Sequence, residues 1–370
     1  MRRTRLAFVL GVVLFAIGGS TQADAAFRGG RPAHGDFDRG LRIQSVCFSV
    51  TNPAGSTSVL YGQRFTERGV TSRTPAIVLV HGVASSTQNW DYSPHWSVAR
   101  SLARAGYVVI SYDRLGYAKS SYFDHPGGGL TLTTSVQRDL LHQVVGEVRT
   151  GRYATTRGSD CSSPQRPSRL RNRTVVIVGH SAGGWIVAGY PGKYHDVAAM
   201  VQADITAGTP LATGPDTHLM VDPNHPDYFQ FFGTSQDCRA FDIYAPGAVP
   251  SVARLACTPP FVDSPLGELS DIPGIYAENI PLIKKIGSTI PVLLTSGDHD
   301  VIVPPANAKA ELAFYKASCG CDVSQLILPN TGHLFMAHRS LPIWVHYVVH
   351  WLRAHGLSAD RRLPLREHVG

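Results

Sequence analysis

Short apolar runs alternate with amphipathic segments along most of the chain. The continuous apolar run Ala76–Val80 and the mostly apolar segments 174–178 and 198–203 are typical of strands buried on both faces of a parallel sheet. Residues 133–148 repeat apolar side chains at helical spacing, which predicts a helix between two such strands. Strands that alternate with helices predict an α/β fold, with a mostly parallel central sheet and helices on both of its faces.

The same reasoning predicts the remaining elements. Further strands are expected at 43–50, 59–65, 107–112, 291–295 and 325–328. Further helices are expected at 96–105, from 182 to about 189, 305–316 and 341–354. The polar and basic residues 150–172 are expected to form a solvated surface loop.

Residues 207–288 interrupt the alternation, because they are rich in Pro, Gly, Asp and aromatic residues with weak periodicity. They are predicted to be a cap or lid inserted into a core made of residues 26–206 and 289–370, over the carboxyl edge of the sheet. Open α/β sheets place their sites at that edge. The aromatic residues of the insertion form either its own small core or a substrate contact: Tyr228, Phe229, Phe231 and Phe232.

Residues 1–25 have the pattern of a signal peptide. A basic start precedes an apolar run over residues 6–19, and Ala23-x-Ala25 fits the cleavage rule. The alternative is a membrane anchor, but a spanning helix needs roughly 20 apolar residues. The pattern predicts cleavage after Ala25, no stable membrane insertion, and a secreted or periplasmic protein.

Composition excludes several classes of protein. The chain has 370 residues, of which 43% are apolar and 16% are charged, unlike disordered or coiled-coil proteins. The net charge of +7 is spread along the chain rather than gathered in one tail. It is weak support for nucleic-acid binding, so no nucleic-acid partner is predicted.

Export favours disulfides for the six cysteines. Six cysteines allow fifteen pairings, and the sequence favours only Cys238–Cys257, because both lie in one irregular segment. A bridge between Cys319 and Cys321 would close a tight ring; it stays open as an alternative, in which Cys47 and Cys161 pair. No Cys/His ligand spacing appears, so no metal is predicted.

The first chemical motif is a G-x-S-x-G sequence at residues 179–183, directly after a predicted buried strand and before a helix. Its glycines permit a tight turn that lifts the Ser181 hydroxyl above the sheet. A serine hydroxyl needs a base, and the base needs an orienting group, before it can act as a nucleophile. Ser181 is therefore the candidate nucleophile.

Two later strand ends supply the partners. Asp300 follows the strand at 291–295 and is the predicted acid, and His333 follows the strand at 325–328 and is the predicted base. Asp298 is the rival for the acid, and Asp204 is a third candidate. The backbone N–H groups of Val83 and Ala182 are the predicted oxyanion donors. His81 is interpreted as a brace for its loop.

As a set, these motifs resemble the α/β-hydrolase superfamily, in the branch with a His-Gly oxyanion loop and a cap inserted after the sixth strand. The resemblance spans residues 76–355 and rests on His81-Gly82, 113–120, 179–183, 297–300 and Gly332-His333. It implies that residues 113–120 form a loop that shapes the site. Dehalogenases and epoxide hydrolases of this fold use an aspartate where Ser181 stands, so acyl-enzyme chemistry is favoured.

The leading hypothesis is a secreted serine hydrolase that cleaves small carboxylic esters or lactones through an acyl-enzyme on Ser181. The alternatives are amide, peptide or C–C bond hydrolysis, or acyl transfer, on the same triad. A cofactor-free haloperoxidase-like or lyase activity and a non-catalytic binding protein also remain open. No cofactor is predicted, and the sequence assigns neither substrate-binding residues nor an oligomeric state.

Overall fold

The computed structural model describes residues 40–359, apart from residues 124, 126 and 271. The predicted signal peptide at 1–25 and its cleavage site lie outside the described residues. None of the helices in the described part of the chain has the length and apolarity needed to cross a bilayer.

One ten-stranded sheet forms the centre of the fold. Its strands, in chain order, are β1 (Leu41–Thr51), β2 (Thr57–Glu67), β3 (Ala76–Val80), β6 (Val108–Tyr112), β7 (Ala154–Thr156), β8 (Gln165–Pro167), β9 (Val175–His180), β10 (Ala199–Ala203), β14 (Val292–Gly297) and β15 (Val323–Leu328). The spatial order is β15-β14-β10-β9-β3-β6-β2-β1-β7-β8. In this spatial order, the first six strands, from β15 to β6, pair parallel to one another. The remaining four strands, β2, β1, β7 and β8, pair antiparallel.

Ten α-helices lie among the described residues. They are α1 (Val98–Arg104), α2 (Gly128–Thr131), α3 (Thr134–Thr150), α4 (Ala182–Ala188), α5 (Tyr190–Tyr194), α6 (Ser235–Asp242), α7 (Pro250–Ala256), α8 (Ile272–Ile283), α9 (Pro305–Ser318) and α10 (Leu341–Ala354). Apolar side chains of α3, α4 and α9 pack on one face of the sheet, and those of α1 and α10 pack on the other. The predicted fold class, a mostly parallel sheet covered on both faces, is confirmed.

The prediction of a surface loop at 150–172 is wrong in part. Strands β7 and β8 lie within it, with Thr155 opposite Arg166, and β7 pairs with the exposed edge of β1. A disulfide between Cys47 and Cys161 ties the segment to β1. The unpaired backbone N–H and C=O groups at the edge of a sheet favour pairing with an added strand. The two strands of this hairpin are only three residues long and rich in polar side chains, so no hydrophobic pattern in the sequence predicts them.

The 207–288 segment contains a separate small sheet, β11 (Met220–Val221), β12 (Tyr228–Gln230) and β13 (Asp263–Pro265), together with α6, α7 and α8. The expected disulfide Cys238–Cys257 joins α6 to the residue after α7. That the segment acts as a cap with these boundaries stays a prediction. The third bridge is Cys319–Cys321, so the pairing that the sequence left open is the one observed.

Two very short strands, β4 (Asp91–Ser93) and β5 (Trp96–Ser97), form a hairpin before α1. The helix predicted at 96–105 therefore begins two residues later, at Val98. Ser97 caps it, because the side chain of Ser97 accepts a hydrogen bond from the backbone N–H of Arg100.

Candidate active site

Three strand ends bring the predicted site residues together. Ser181 follows β9, Asp300 follows β14 by three residues, and His333 lies in the loop after β15. Because these strands are parallel, their carboxyl ends lie at one edge of the sheet. Ser181 and His333 are more than 150 residues apart in the sequence, and the parallel strands of the sheet bring them together.

The turn at Ser181 is strained and tightly packed. Ser181 has φ 54° and ψ −127°, a backbone conformation that a serine rarely adopts. A Cβ added at Gly179 would lie 2.2 Å from the carbonyl oxygen of Gly183, and one added at Gly183 would lie 2.2 Å from the carbonyl oxygen of Val80. The two motif glycines are thus required by close approach of the backbone, and the turn presents the Ser181 side chain at the start of α4.

The three side chains form one hydrogen-bonded chain. The Nε2 atom of His333 lies 2.9 Å from the Oγ atom of Ser181, and its Nδ1 atom lies 2.9 Å from Oδ2 of Asp300. The other oxygen of Asp300 accepts hydrogen bonds from the backbone N–H groups of Ile302 and Val303 at 2.9 and 3.0 Å. Asp300 is therefore fixed by the backbone on one side and holds the imidazole on the other.

The rival carboxylates lie elsewhere. Oδ1 of Asp298 accepts from the backbone N–H of Thr331 and lies 2.7 Å from Nδ1 of His299, and the side chain is 31% exposed. Asp204 is fully buried, and its Oδ1 accepts from the backbone N–H of Gly297 at 3.0 Å. Neither carboxylate is hydrogen-bonded to His333, so the geometry favours Asp300 over both.

The charges around His333 favour its protonated form. Burial by itself lowers the pKa of His333, but the Asp300 carboxylate and its hydrogen bond outweigh burial. With Asp242 and Asp204 adding to this effect, the pKa of His333 rises to about 9. Burial and the neighbouring Asp300 raise the pKa of Asp204 well above its usual value.

The predicted oxyanion donors flank Ser181. A Cβ added at Gly82 would lie 2.8 Å from Cβ of Ser181, so the loop that carries Val83 passes directly beside the serine. Ala182 is the first residue of α4, where a backbone N–H has no partner inside the helix. Among the described residues, no hydrogen bond is made by the backbone N–H of Val83. Both N–H groups are thus available to a ligand at Ser181.

His81 holds two loops together rather than entering the site. Its Nε2 atom accepts a hydrogen bond from the backbone N–H of Arg114 at 3.0 Å, and its Nδ1 atom lies 2.8 Å from the carbonyl oxygen of Gly82. Burial and the Arg114 guanidinium lower the pKa of His81 well below its usual value, which keeps the ring neutral. The sequence-based interpretation of His81 as a brace agrees with this arrangement.

A buried ion pair links the same loop to the 207–288 segment. Nη1 of Arg114 lies 2.5 Å from Oε1 of Glu268, and the two side chains are 0% and 1% exposed. Nη2 of Arg114 also donates to the carbonyl oxygen of Gly82 at 3.0 Å. The pair therefore fixes both the 207–288 segment and the loop beside Ser181, a connection the sequence did not reveal because the partners are 154 residues apart.

Replacing Glu268 with glutamine should lower the free energy of unfolding by about 3–5 kcal/mol, because the Arg114 charge loses its counter-ion in a dry environment. Chemical denaturation measures this loss. The control is Asp139→Asn, which breaks the exposed pair with Lys193 and should cost about 0–1 kcal/mol. Equal effects of the two substitutions would contradict the structural role assigned to the buried pair.

Sequence reasoning missed two histidines that hold His333 in place. Nε2 of His180 lies 2.9 Å from the carbonyl oxygen of His333, and burial lowers the pKa of His180 to about 3, so that ring is a neutral donor. Nε2 of His338 accepts from the backbone N–H groups of Gly332 and Tyr244, which ties the His333 loop to the residues after α6. His180 lies within the G-x-S-x-G motif and His338 lies five residues after His333, but nothing in the local sequence identifies the hydrogen-bond partner of either side chain.

The cleft at Ser181 is narrow and largely aromatic. Its free volume is about 20 Å³, close to the space that one water molecule occupies. The lining residues are Val83, Ser85, His180, Ser181, Phe231, Phe232, Phe241, Asp242, His333 and Leu334. The ring of Phe241 meets the ring of His333 edge-on, with centroids 5.1 Å apart.

The members of the aromatic cluster differ in their surroundings. Phe231 and Phe232 line the cleft, whereas Tyr228 and Phe229 are buried away from it. Tyr228 contacts residues outside the 207–288 segment: its hydroxyl accepts a hydrogen bond from the backbone N–H of Phe123, and its ring lies 5.0 Å from that of Tyr122.

Asp242 lies beside Phe231 and Phe232 in the cleft lining, and burial raises its pKa to about 7. One carboxyl group therefore faces an otherwise apolar wall next to His333.

One group of potential metal ligands occurs among the described residues, formed by Cys238, Asp242 and Cys257. The two sulfur atoms are joined in a disulfide, which removes the thiolates that would bind an ion. This group therefore does not fit a metal.

Comparison with known proteins identifies the family to which the chain is similar. A sequence profile of the alpha/beta hydrolase family matches residues 77–342. A comparison with curated proteins finds no match.

Solved structures show the same fold at low identity. The lip1 protein of Acinetobacter baumannii AYE is 16% identical with a TM-score of 0.55, over 89% of this chain and 99% of that one. The monoacylglycerol lipase of Paleococcus ferrophilus is 17% identical with a TM-score of 0.53, over 80% and 99%. The thermophilic esterase of Thermogutta terrifontis is 16% identical with a TM-score of 0.52, over 84% and 99%. With the family profile spanning most of the sequence, the chain belongs to the alpha/beta hydrolase family.

Proposed function

We propose that this protein is a serine hydrolase that cleaves carboxylic esters through an acyl-enzyme on Ser181. The observation that carries the proposal is the hydrogen-bonded chain from Asp300 through His333 to Ser181, beside two backbone N–H groups. A nucleophile, a base, an orienting carboxylate and oxyanion donors are the parts that acyl transfer requires.

In the proposed mechanism, each part performs one step. Oγ of Ser181 attacks the acyl carbon while Nε2 of His333 takes the hydroxyl proton. Asp300 keeps the proton of His333 on Nδ1 and stabilises the imidazolium. The backbone N–H groups of Val83 and Ala182 donate to the oxyanion. His333 then returns its proton to the leaving alcohol, and a water molecule, activated by the same imidazole, releases the acid.

An ester is the substrate class that the relatives support. Two of the proteins with this fold are named as an esterase and a monoacylglycerol lipase. The apolar wall formed by Phe231, Phe232 and Phe241 suits an acyl or alkyl group of the substrate better than a charged one. Amide hydrolysis, C–C bond hydrolysis and acyl transfer use the same parts, but no feature of the described residues favours them.

Export remains part of the proposal. The signal-peptide pattern at residues 1–25 supports it, and three disulfides are consistent with an oxidising compartment.

Stopped-flow hydrolysis of p-nitrophenyl acetate, butyrate and octanoate tests the proposed reaction. We expect turnover of at least one ester, and an initial burst of p-nitrophenol equal to the enzyme concentration wherever deacylation is the slower step. No turnover of any of the three, by enzyme with intact folding and disulfides, would contradict ester hydrolysis.

The pH dependence of the reaction should report the surroundings of His333. Only the neutral imidazole accepts the serine proton, so kcat/KM should rise with pH until His333 loses its proton, near pH 9. Asp242 stabilises the imidazolium when ionised. Asp242→Asn should therefore move the midpoint of this rise to lower pH, by about one unit or less.

The pH–rate profiles of the wild type and the variant measure this shift. Asp298→Asn is the control, because Asp298 bonds His299 and Thr331 rather than His333 and should leave the midpoint in place. A midpoint that stays constant or rises in Asp242→Asn would show that the Asp242 carboxylate does not act on the base.

A further inference from the structure

A groove of about 820 Å³ lies on the antiparallel side of the central sheet. Its floor is one face of β1 and β2, and its wall is the β7–β8 hairpin with the loop that follows. The described lining residues are Arg42, Gln44, Arg64, Thr66, Glu67, Arg68, Gly69, Val70, Thr155, Arg166, Pro167, Ser168, Arg169 and Leu170. We call it the arginine groove.

The strand alternation builds the floor. Ile43 and Phe65 pack into the apolar core on one face of the sheet. Their neighbours project to the opposite face, where they form two cross-strand pairs, Arg42 with Thr66 and Gln44 with Arg64. The wall exists because the Cys47–Cys161 disulfide and the β1–β7 pairing hold the hairpin against β1.

The groove is strongly positive. Five arginines line it, and Glu67 is the one carboxylate among its described lining residues. A second concavity shares Arg42 and Arg166 and adds Arg157. Within the described part of the chain, no ion pair is formed by the exposed groove arginines: Arg42, Arg68, Arg166 and Arg169.

Arg64 shows that the site is built rather than incidental. It is only 7% exposed, and its Nη1 atom donates to Oη of Tyr153 at 2.7 Å and to Oγ of Ser168 at 3.0 Å. Its Nη2 atom donates to Oε1 of Gln44. All these acceptors are neutral, and its Nε atom is buried without a partner among the described residues. A buried guanidinium without a carboxylate is costly, and an anion in the groove would supply the missing charge.

We propose that the arginine groove binds an acidic oligosaccharide, a chain of sugars that carries carboxylate or sulfate groups. The arginines match its anionic groups, which they can bind through paired N–H donors. The side chains of Thr66, Thr155, Ser168 and Gln44 offer hydrogen-bond partners for its hydroxyl groups. The groove volume is that of a site for a chain of several sugars rather than for a single ion.

Other anionic partners fit the groove less well. No aromatic side chain occurs among its described lining residues, so bases of a single-stranded nucleic acid have no ring to stack on. The groove is concave, and the exposed large apolar side chains of the described residues lie outside it, which disfavours a bilayer surface. These partners are outcomes of the test below.

The groove and the serine lie at different edges of the sheet. Along the antiparallel pair of β2 and β6, Gly62 lies opposite Tyr112 and Phe65 lies opposite Val109. The groove residues of β2 therefore lie toward the amino end of β6, away from the carboxyl edge where Ser181 is found. A bound oligosaccharide would hold the enzyme on an acidic polymer and leave the hydrolytic site open.

Isothermal titration of the intact protein in low-salt buffer tests this proposal. The probes are a heparin-derived sulfated hexasaccharide and a hexamer of galacturonate, with maltohexaose as the neutral comparison. We expect binding of at least one acidic probe, no binding of maltohexaose, and weaker binding as salt is added. A vesicle of phosphatidylglycerol and a single-stranded DNA dodecamer test the other sources of anionic groups.

Two double variants localise the binding. Arg166→Ala with Arg169→Ala removes two exposed groove arginines and should weaken binding by about tenfold or more. Arg171→Ala with Arg173→Ala is the matched control: it removes the same charge from exposed positions of the same segment that do not line the groove, and it should weaken binding by about twofold or less. Both variants should hydrolyse a p-nitrophenyl ester at the wild-type rate, which separates this test from that of the hydrolytic site.

Three results would overturn the proposal. One is no binding of either acidic oligosaccharide, and another is equal weakening by the two double variants, which would indicate a diffuse basic surface. The third is tighter binding of the vesicle or of the DNA than of both acidic oligosaccharides, which would assign the groove to a different class of partner.

Discussion

Ser181→Ala is expected to lower kcat for ester hydrolysis by about 10⁶-fold, the loss that follows removal of the triad nucleophile in another serine hydrolase. Oγ of Ser181 is the atom that bonds to the acyl carbon, and no other hydroxyl is hydrogen-bonded to His333 among the described residues. The backbone at Ser181 has a positive φ, which alanine can keep only because the surrounding turn enforces it.

The matched control is Ser296→Ala. Ser296 is a buried serine of β14 whose hydroxyl has no hydrogen-bond partner among the described residues, so its loss should change activity by less than about twofold. Circular dichroism and thermal unfolding should show that both variants are folded. Hydrolysis by folded Ser181→Ala at a rate near that of the wild type would remove Ser181 from the mechanism.

Asp300→Asn is expected to lower kcat by about 10³- to 10⁴-fold, as the same change does in another serine hydrolase triad. The backbone N–H groups of Ile302 and Val303 hold one side-chain atom of residue 300 and need an oxygen there. The asparagine would then present its NH₂ group to Nδ1 of His333. The ring proton of His333 would then move to Nε2, where it prevents His333 from accepting the hydroxyl proton of Ser181.

Asp298→Asn serves as the control for this experiment too. The amide of asparagine can still accept the hydrogen bond from Thr331, and Asp298 does not contact His333, so activity should fall by less than about tenfold. Steady-state rates of Asp298→Asn and Asp300→Asn on one ester measure the difference between the two losses of activity. A larger loss in Asp298→Asn than in Asp300→Asn would show that the acid had been assigned to the wrong carboxylate.

The fold was predictable where the signal is local. The strand Ala76–Val80 and the helix Leu341–Ala354 have the bounds that the sequence predicts, because the strand is entirely apolar and the helix has a continuous apolar stripe. Ser181, Asp300 and His333 could be placed together for a related reason. Each follows a recognisable parallel strand, and such strands end at one edge of the sheet.

The rest depends on contacts between distant parts of the chain. Strand β8, Gln165–Pro167, consists of three exposed residues, and it is a strand only because β7 lies beside it. The pair of Arg114 with Glu268 and the carboxyl group of Asp242 near His333 arise from the packing of the 207–288 segment on the core. No periodicity or spacing in the sequence encodes such pairs, because each partner looks like an ordinary polar residue of a loop or helix.

The measurement that tests the central claim most directly is labelling with a fluorophosphonate, followed by peptide mass spectrometry. This reagent reacts with an activated serine without any knowledge of the substrate. The account predicts one adduct per protein, on the peptide that contains Ser181, and none in Ser181→Ala. An adduct on another serine, or no adduct while a known serine hydrolase in the same tube is fully labelled, would contradict the assignment of Ser181 as the nucleophile.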